Sequence, residues 1–144
     1  MTDELAFELS ADIDAAPERV WSVMMDLERW PEWTPSVSRI QRLDPGELTP
    51  GKAVRIWQPG LVRAVWRVTE LVPDERFTWV FRSLGLRSTG THRVERRGNG
   101  ATRATLGVRH EGVALRLVRG WISGVTQRYV TMEAQGLKAR CERS

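Results

Sequence analysis

The sequence predicts an α+β domain in which a run of seven antiparallel strands packs one face against a single long C-terminal helix. Three observations carry this. Apolar residues alternate with polar ones at period two through much of residues 5–111, and turn-forming clusters break that alternation into short runs. From about Gly112 the apolar spacing changes to three or four. Two short helices interrupt the strands once, after the first.

Leu5 to Asp14 sets Leu5, Phe7, Leu9, Ala11 and Ile13 against polar neighbours, the pattern of a half-buried strand. A short amphipathic helix follows: Pro17 suits a first helical position, Glu18 favours the positive helix N-terminus, and Val20, Met24 and Leu27 recur at helical spacing. Trp21 and Met25 widen the stripe. Ala16 is a poor cap, so the helix start is expected to lean on Asp14 and on packing. Pro31 and Pro35 end regular helix, leaving a second short turn that carries Trp30 and Trp33. Residues 30–35 therefore have the composition of a semi-rigid flap, with Glu32 exposed.

Val37 to Leu43 and Ala53 to Trp57 read as short strands parted by Asp44-Pro45-Gly46 and Pro50-Gly51. Leu61 to Val72 is a longer strand ending at Pro73-Asp74. Arg76 to Ser83 carries Phe77, Trp79 and Phe81 on one face, and Leu86 to Arg97 carries His92 and Val94. Gly98-Asn99-Gly100 turns the chain into Ala101 to Glu111. In the closing helix Val118, Trp121, Ile122, Val125, Tyr129 and Met132 form the apolar stripe, while Arg116, Arg119, Arg128, Glu133 and Lys138 fall elsewhere. Gly120 and Gly124 offer close approach at small-residue spacing, and a bend there is plausible because glycine costs about 1 kcal/mol in a helix interior.

One domain over residues 1–144 accounts for the length, with no repeat, linker or low-complexity tract. The chain opens Met-Thr-Asp-Glu without a basic stretch or an apolar run behind it, and no segment approaches the ~20 apolar residues of a membrane span. A soluble, cytoplasmic protein without stable membrane insertion is expected, as monomer or homodimer. The net charge of +4 comes almost wholly from scattered arginines. Arg63 with Arg67, Arg93 with Arg97 and Arg103 with Arg109 occupy near-alternating strand positions, which reads as the wet face of a sheet rather than a nucleic-acid surface. Arg96-Arg97 is too short a run to change that. Cys141, the only cysteine, lies in the polar tail, excluding an internal disulfide and a cysteine-rich metal cluster. Two histidines on different strands make no metal motif, and no glycine-rich loop leads from strand to helix, so neither metal nor cofactor is expected.

Ala16-Pro-Glu-Arg-Val-Trp-Ser-Val-Met-Met-Asp-Leu-Glu-Arg-Trp-Pro-Glu-Trp33 resembles the opening signature of the polyketide cyclase/dehydrase and lipid-transport proteins, the START-like or Bet v 1-like helix-grip (SRPBCC) superfamily. Trp66-Arg67-Val68-Thr69-Glu70-Leu71-Val72-Pro73, Gly90-Thr91-His92-Arg93-Val94 and Gly98-Asn99-Gly100-Ala101-Thr102 extend the resemblance over nearly the whole chain. It implies a strongly curved sheet wrapped around the long helix, with a cavity between them for an apolar or amphipathic ligand. It does not imply one function, because the superfamily includes cyclases, carriers, receptors and regulators.

Seven tryptophans against three phenylalanines and one tyrosine make the large aromatic surface mostly indole. Alternation points Trp66, Val68, Phe77, Trp79, Phe81, His92, Val94, Leu106, Val108 and His110 inward from the strands, and helical spacing adds Trp121, Val125 and Tyr129. These are the candidate ligand-binding residues, in competition with ordinary core packing. The leading expectation is a lipid-like or polyketide-like small ligand held in that cavity. A cyclase or dehydratase is the alternative, with His92 or His110 as proton-transfer group and Tyr129 or an arginine polarising a carbonyl. No neighbouring carboxylate supports those histidines; Glu111 points away from His110. A third alternative is a protein-interaction or regulatory module that engages a partner around Trp30 and Trp33.

Overall fold

In the computed structural model, which describes residues 3–143, the chain runs β1 (Glu4–Ile13), α1 (Pro17–Met25), a 3-10 helix (Leu27–Glu32), β2 (Arg39–Arg42), β3 (Ala53–Trp57), β4 (Ala64–Val72), β5 (Arg76–Ser83), β6 (Leu86–Arg96), β7 (Thr102–Glu111) and α2 (Leu115–Glu142). All seven strands join one antiparallel sheet in the order β1-β7-β6-β5-β4-β3-β2. Strands β2 to β7 follow one another as hairpin neighbours, and β1 pairs with β7, so that α1 and the 3-10 helix connect the two sheet edges.

The period-two reading translates directly into faces. Leu5, Phe7 and Leu9 of β1 stand opposite His110, Val108 and Leu106 of β7. On the other face Asp12 meets Arg97 and Arg103, and Glu4 meets Arg109, at 2.7–3.2 Å. These exposed pairs sit on the solvated side of the sheet and contribute little stability each. A bulge between Val68 and Glu70 shifts the β4–β5 register, so that Leu71 rather than Glu70 follows Val68 on the inner face.

Several boundaries differ from the sequence expectation. The strand expected from Leu61 begins at Ala64, because a turn at Gln58-Pro59-Gly60, with the Leu61 N–H on the Gln58 carbonyl, holds residues 61–63 out of the sheet. Asp14 does not cap α1, which has no side-chain cap; the Ala16 carbonyl accepts from the Arg19 and Val20 amides instead. The 30–35 segment is packed against the core. Trp30 is 2% exposed and its indole N–H donates to the Met24 carbonyl, Trp33 packs at a tilt against Trp30 with ring centroids 5.2 Å apart, and Arg140 pairs with the exposed Glu32 at 2.7 Å. Both tryptophans are buried, so neither indole is available on the surface to a partner there.

Helix α2 divides lengthwise into two jobs. Its C-terminal half places Ala134, Leu137 and Cys141 in the main core with Ile13, Val20, Met24 and Leu27. Cys141 is thus buried rather than in a polar tail, and that burial pushes its thiol up to about 11. Gly136 permits the close approach of α2 to the 3-10 helix: a side chain there would overlap the Trp33 carbonyl. Gly120 and Gly124 have open space around them and support no close approach. Packing around the N-terminal half of α2 is far looser.

Candidate functional site

That N-terminal half roofs a cavity of about 340 Å³, within the usual range of about 300–1,000 Å³ for small-molecule sites. The inward residues of each strand explain its position. Phe77, near the start of β5, and Val94, near the end of β6, lie toward α1, where Trp21 meets Phe77 edge-on at 6.2 Å, and Val68 sits mid-strand in β4 opposite Trp79. Further along, Trp79 and Phe81, then Ser88, Gly90 and His92, then Leu106, Val108 and His110 face the open end. From Ile122 to Glu133 the roof of α2 extends about 16 Å.

Trp66, Trp79, Phe81, His92, Leu106, Val108, His110, Trp121, Val125 and Tyr129 therefore line the cavity, whereas Val68, Phe77 and Val94 do not. Those three are 1%, 0% and 5% exposed and belong to the packed core. Alternation assigns a face but not which inward side chains border open space, and these three are packed into the core cluster instead. Trp30, Val37, Ile56 and Ile122 also reach the cavity wall.

Its wall is mainly indole. Trp79 contacts Trp30 at 5.6 Å and Trp66 at 6.0 Å, and Phe81 lies 5.8 Å from Trp66. Gly90 makes this packing possible, since a Cβ there would come within 2.7 Å of the Trp79 indole nitrogen. At the mouth, Val62 and Trp121 are 84% and 56% exposed. The Tyr129 hydroxyl donates to the Pro59 carbonyl, tying α2 to the 58–63 loop rather than pointing at a ligand carbonyl.

Both histidines reach the cavity, and both are committed to structure. His92 stacks flat on Phe77 at 4.0 Å, and its Nδ1 lies 3.4 Å from the Phe77 carbonyl, an assignment that puts the proton on Nδ1 and leaves Nε2 an acceptor. Burial drives its pKa down to about 3, so the ring stays neutral at ordinary pH. His110 is bonded at both nitrogens, Nδ1 to the Ser88 hydroxyl at 2.7 Å and Nε2 to the Thr126 hydroxyl at 2.8 Å. A neutral imidazole meets this need by donating from one nitrogen and accepting at the other, and burial lowers its pKa as well.

The residue that sequence reasoning missed is Glu133. Its charge sets it apart from the apolar stripe in the sequence, yet it follows Ile122 by about three helical turns and so returns to the same side of the helix. Among the described residues Glu133 is the sole carboxylate in the cavity lining, and no arginine or lysine lines it. The Ser36 hydroxyl bonds its carboxylate, and Ser36 in turn sits 2.7 Å from the Thr34 hydroxyl. Burial outweighs this support and raises the Glu133 pKa to about 7. Among the described residues no cluster of three or more His, Cys, Asp or Glu side chains is placed to hold a metal ion, and no helix is long and apolar enough to cross a membrane.

The backbone arrangement recurs in solved structures. The Zhui aromatase/cyclase from Streptomyces sp. R1128 superposes with a TM-score of 0.84 at 16% identity, covering 97% of this chain and 94% of that one. A START superfamily protein from Mycobacterium smegmatis gives 0.77 at 13% identity, covering 95% and 97%. Norcoclaurine synthase from Thalictrum flavum gives 0.73 at 12%, covering 95% and 86%. At these identities the likeness shows a common helix-grip fold. No curated protein matches the sequence. The family model described as polyketide cyclase / dehydrase and lipid transport matches residues 4–142, so the chain belongs to that family.

Proposed function

We propose that this protein binds a small, flat, largely apolar molecule between the sheet and α2. The observation that carries the reading is the cavity of about 340 Å³, walled by Trp30, Trp66, Trp79 and Phe81, left beside an otherwise well-packed core. Burying an aromatic ligand against those walls gains about 25 cal/mol per Å² of apolar surface removed from water. The polar groups are few, which suits orientation rather than solvation of the ligand.

A histidine-driven cyclase or dehydratase has weaker support. His92 is too weak a base near neutrality, and His110 must break a hydrogen bond to Ser88 or Thr126 before either nitrogen can exchange a proton with a ligand.

Native mass spectrometry of the purified protein beside its denatured mass tests the binding reading. A defined extra mass released on unfolding is the expected result; for protein that purifies empty, added 2-naphthylethanol should quench tryptophan fluorescence saturably. Val125→Trp, which fills the cavity from α2, should abolish either signal while the fold survives by circular dichroism. No extra mass together with no saturable quenching, or binding unchanged in V125W, overturns the proposal.

A further inference from the structure

We infer that the ligand carries a protonated amine, held at the deep end of the cavity with Glu133 as its counter-charge. The inference rests on the binding reading above and names the chemical class of the ligand. Its starting point is an imbalance: a carboxylate lines an apolar cavity, and none of the ion pairs formed by the described residues includes it. Holding an unpaired carboxylate partly out of water is costly, and a cationic ligand lowers the cost by supplying the missing charge.

One neighbouring hydroxyl pair favours the charged form of Glu133. The Thr34 hydroxyl accepts from the Ser36 amide at 3.3 Å and lies 2.7 Å from the Ser36 hydroxyl. With Thr34 donating to Ser36, the Ser36 hydroxyl is free to donate to Glu133, which orients it toward a carboxylate. Thr34 and Ser36 are 1% and 0% exposed, so this support is fixed within the protein rather than supplied by solvent. The walls point the same way: the faces of Trp30, Trp66 and Trp79 attract cations through the ring quadrupole. Of the other titratable groups on the lining, His92 faces from β6, His110 from β7 and Tyr129 from α2. Burial keeps both imidazoles biased to the neutral form, so neither repels an ammonium group.

Three probes with one aromatic body test this: 2-naphthylethylamine, 2-naphthylethanol and 2-naphthylacetic acid, titrated at pH 7.5 by tryptophan quenching and calorimetry. The expected order of affinity is amine, alcohol, acid, with at least about tenfold between amine and alcohol. In Glu133→Gln the amine should lose that advantage, to within about twofold of the alcohol. Equal binding of amine and alcohol, or an advantage that survives E133Q, overturns the inference and leaves the binding reading standing. Binding of none of the three overturns both. The order of the three probes on the unmodified protein decides the question should E133Q fail to fold.

Discussion

Gly90 shows how one absent side chain shapes the site. The Trp79 indole lies across β6 where a Cβ would stand, so Gly90→Ala must push the ring toward the open cavity. Overpacking of this kind costs about 1–3 kcal/mol, and urea denaturation should show that loss together with a changed near-ultraviolet dichroism from the tryptophans. His92 and His110 illustrate what residue-level reading delivers and where it stops. Period two placed both on the inner face, and the structure agrees. Nothing in the spacing of His110 announced Ser88 and Thr126 as partners, because one lies on the neighbouring strand and the other on a helix opposite. Glu133 was legible in principle, since helical arithmetic carries Ile122, Thr126 and Tyr129 on to it. Its charge diverted the reading, as charged residues are rarely placed inward.

At the scale of the element, α2 contains three glycines with different meanings. Gly120 and Gly124 touch nothing, whereas Gly136 lies against the Trp33 carbonyl. Gly120→Ala and Gly124→Ala should therefore each stabilise the protein by about 0.5–1 kcal/mol through helix propensity. Gly136→Ala should destabilise it by about 2 kcal/mol or more, because a backbone carbonyl rather than a flexible side chain stands in the way. Chemical denaturation of the three variants checks the contrast. Helical spacing in the sequence singled out the first pair for close approach and passed over the third, since sequence spacing cannot say which side of a helix meets another segment. Strand pairing was more accessible, because successive hairpins place their own neighbours. The 3-10 helix was readable as a turn but not as a clamp: its burial depends on Met24, Arg140 and Gly136, all distant in kind from the proline signal that defined it.

Among the groups that set the response of the whole molecule to pH, His92 and Glu133 shift in opposite directions, each toward its neutral form. The pKa of His92 falls from 6.5 to about 3 on folding, so the folded state binds fewer protons than the unfolded chain. Stability is complete above 6.5 and declines as pH drops toward 3, by roughly 4–5 kcal/mol from this group at the limit. For Glu133 the pKa rises from 4.5 to about 7, so stability is complete below 4.5 and declines as pH rises through 7, by about 3 kcal/mol at most. Thermal melts of wild type and E133Q should coincide near pH 4 and separate between pH 4.5 and 7, with the variant the more stable above 7. Fold class was the most legible property at this scale, because layer order follows from the change of period at Gly112 and from the hairpins before it. The extent of the cavity was not, since it depends on where α1 stops covering the sheet.

The division of α2 into a packed half and a roofing half has a consequence in time. Amides from Ala134 to Cys141 exchange with solvent only when the core opens, whereas those from Leu117 to Val130 are released by the roof lifting away from the sheet, a smaller excursion. Hydrogen exchange should resolve two tiers of protection within this one continuous helix, and an occupant of the cavity should slow the faster tier toward the slower one. A single helix would then record, in its own exchange rates, whether the cavity is full.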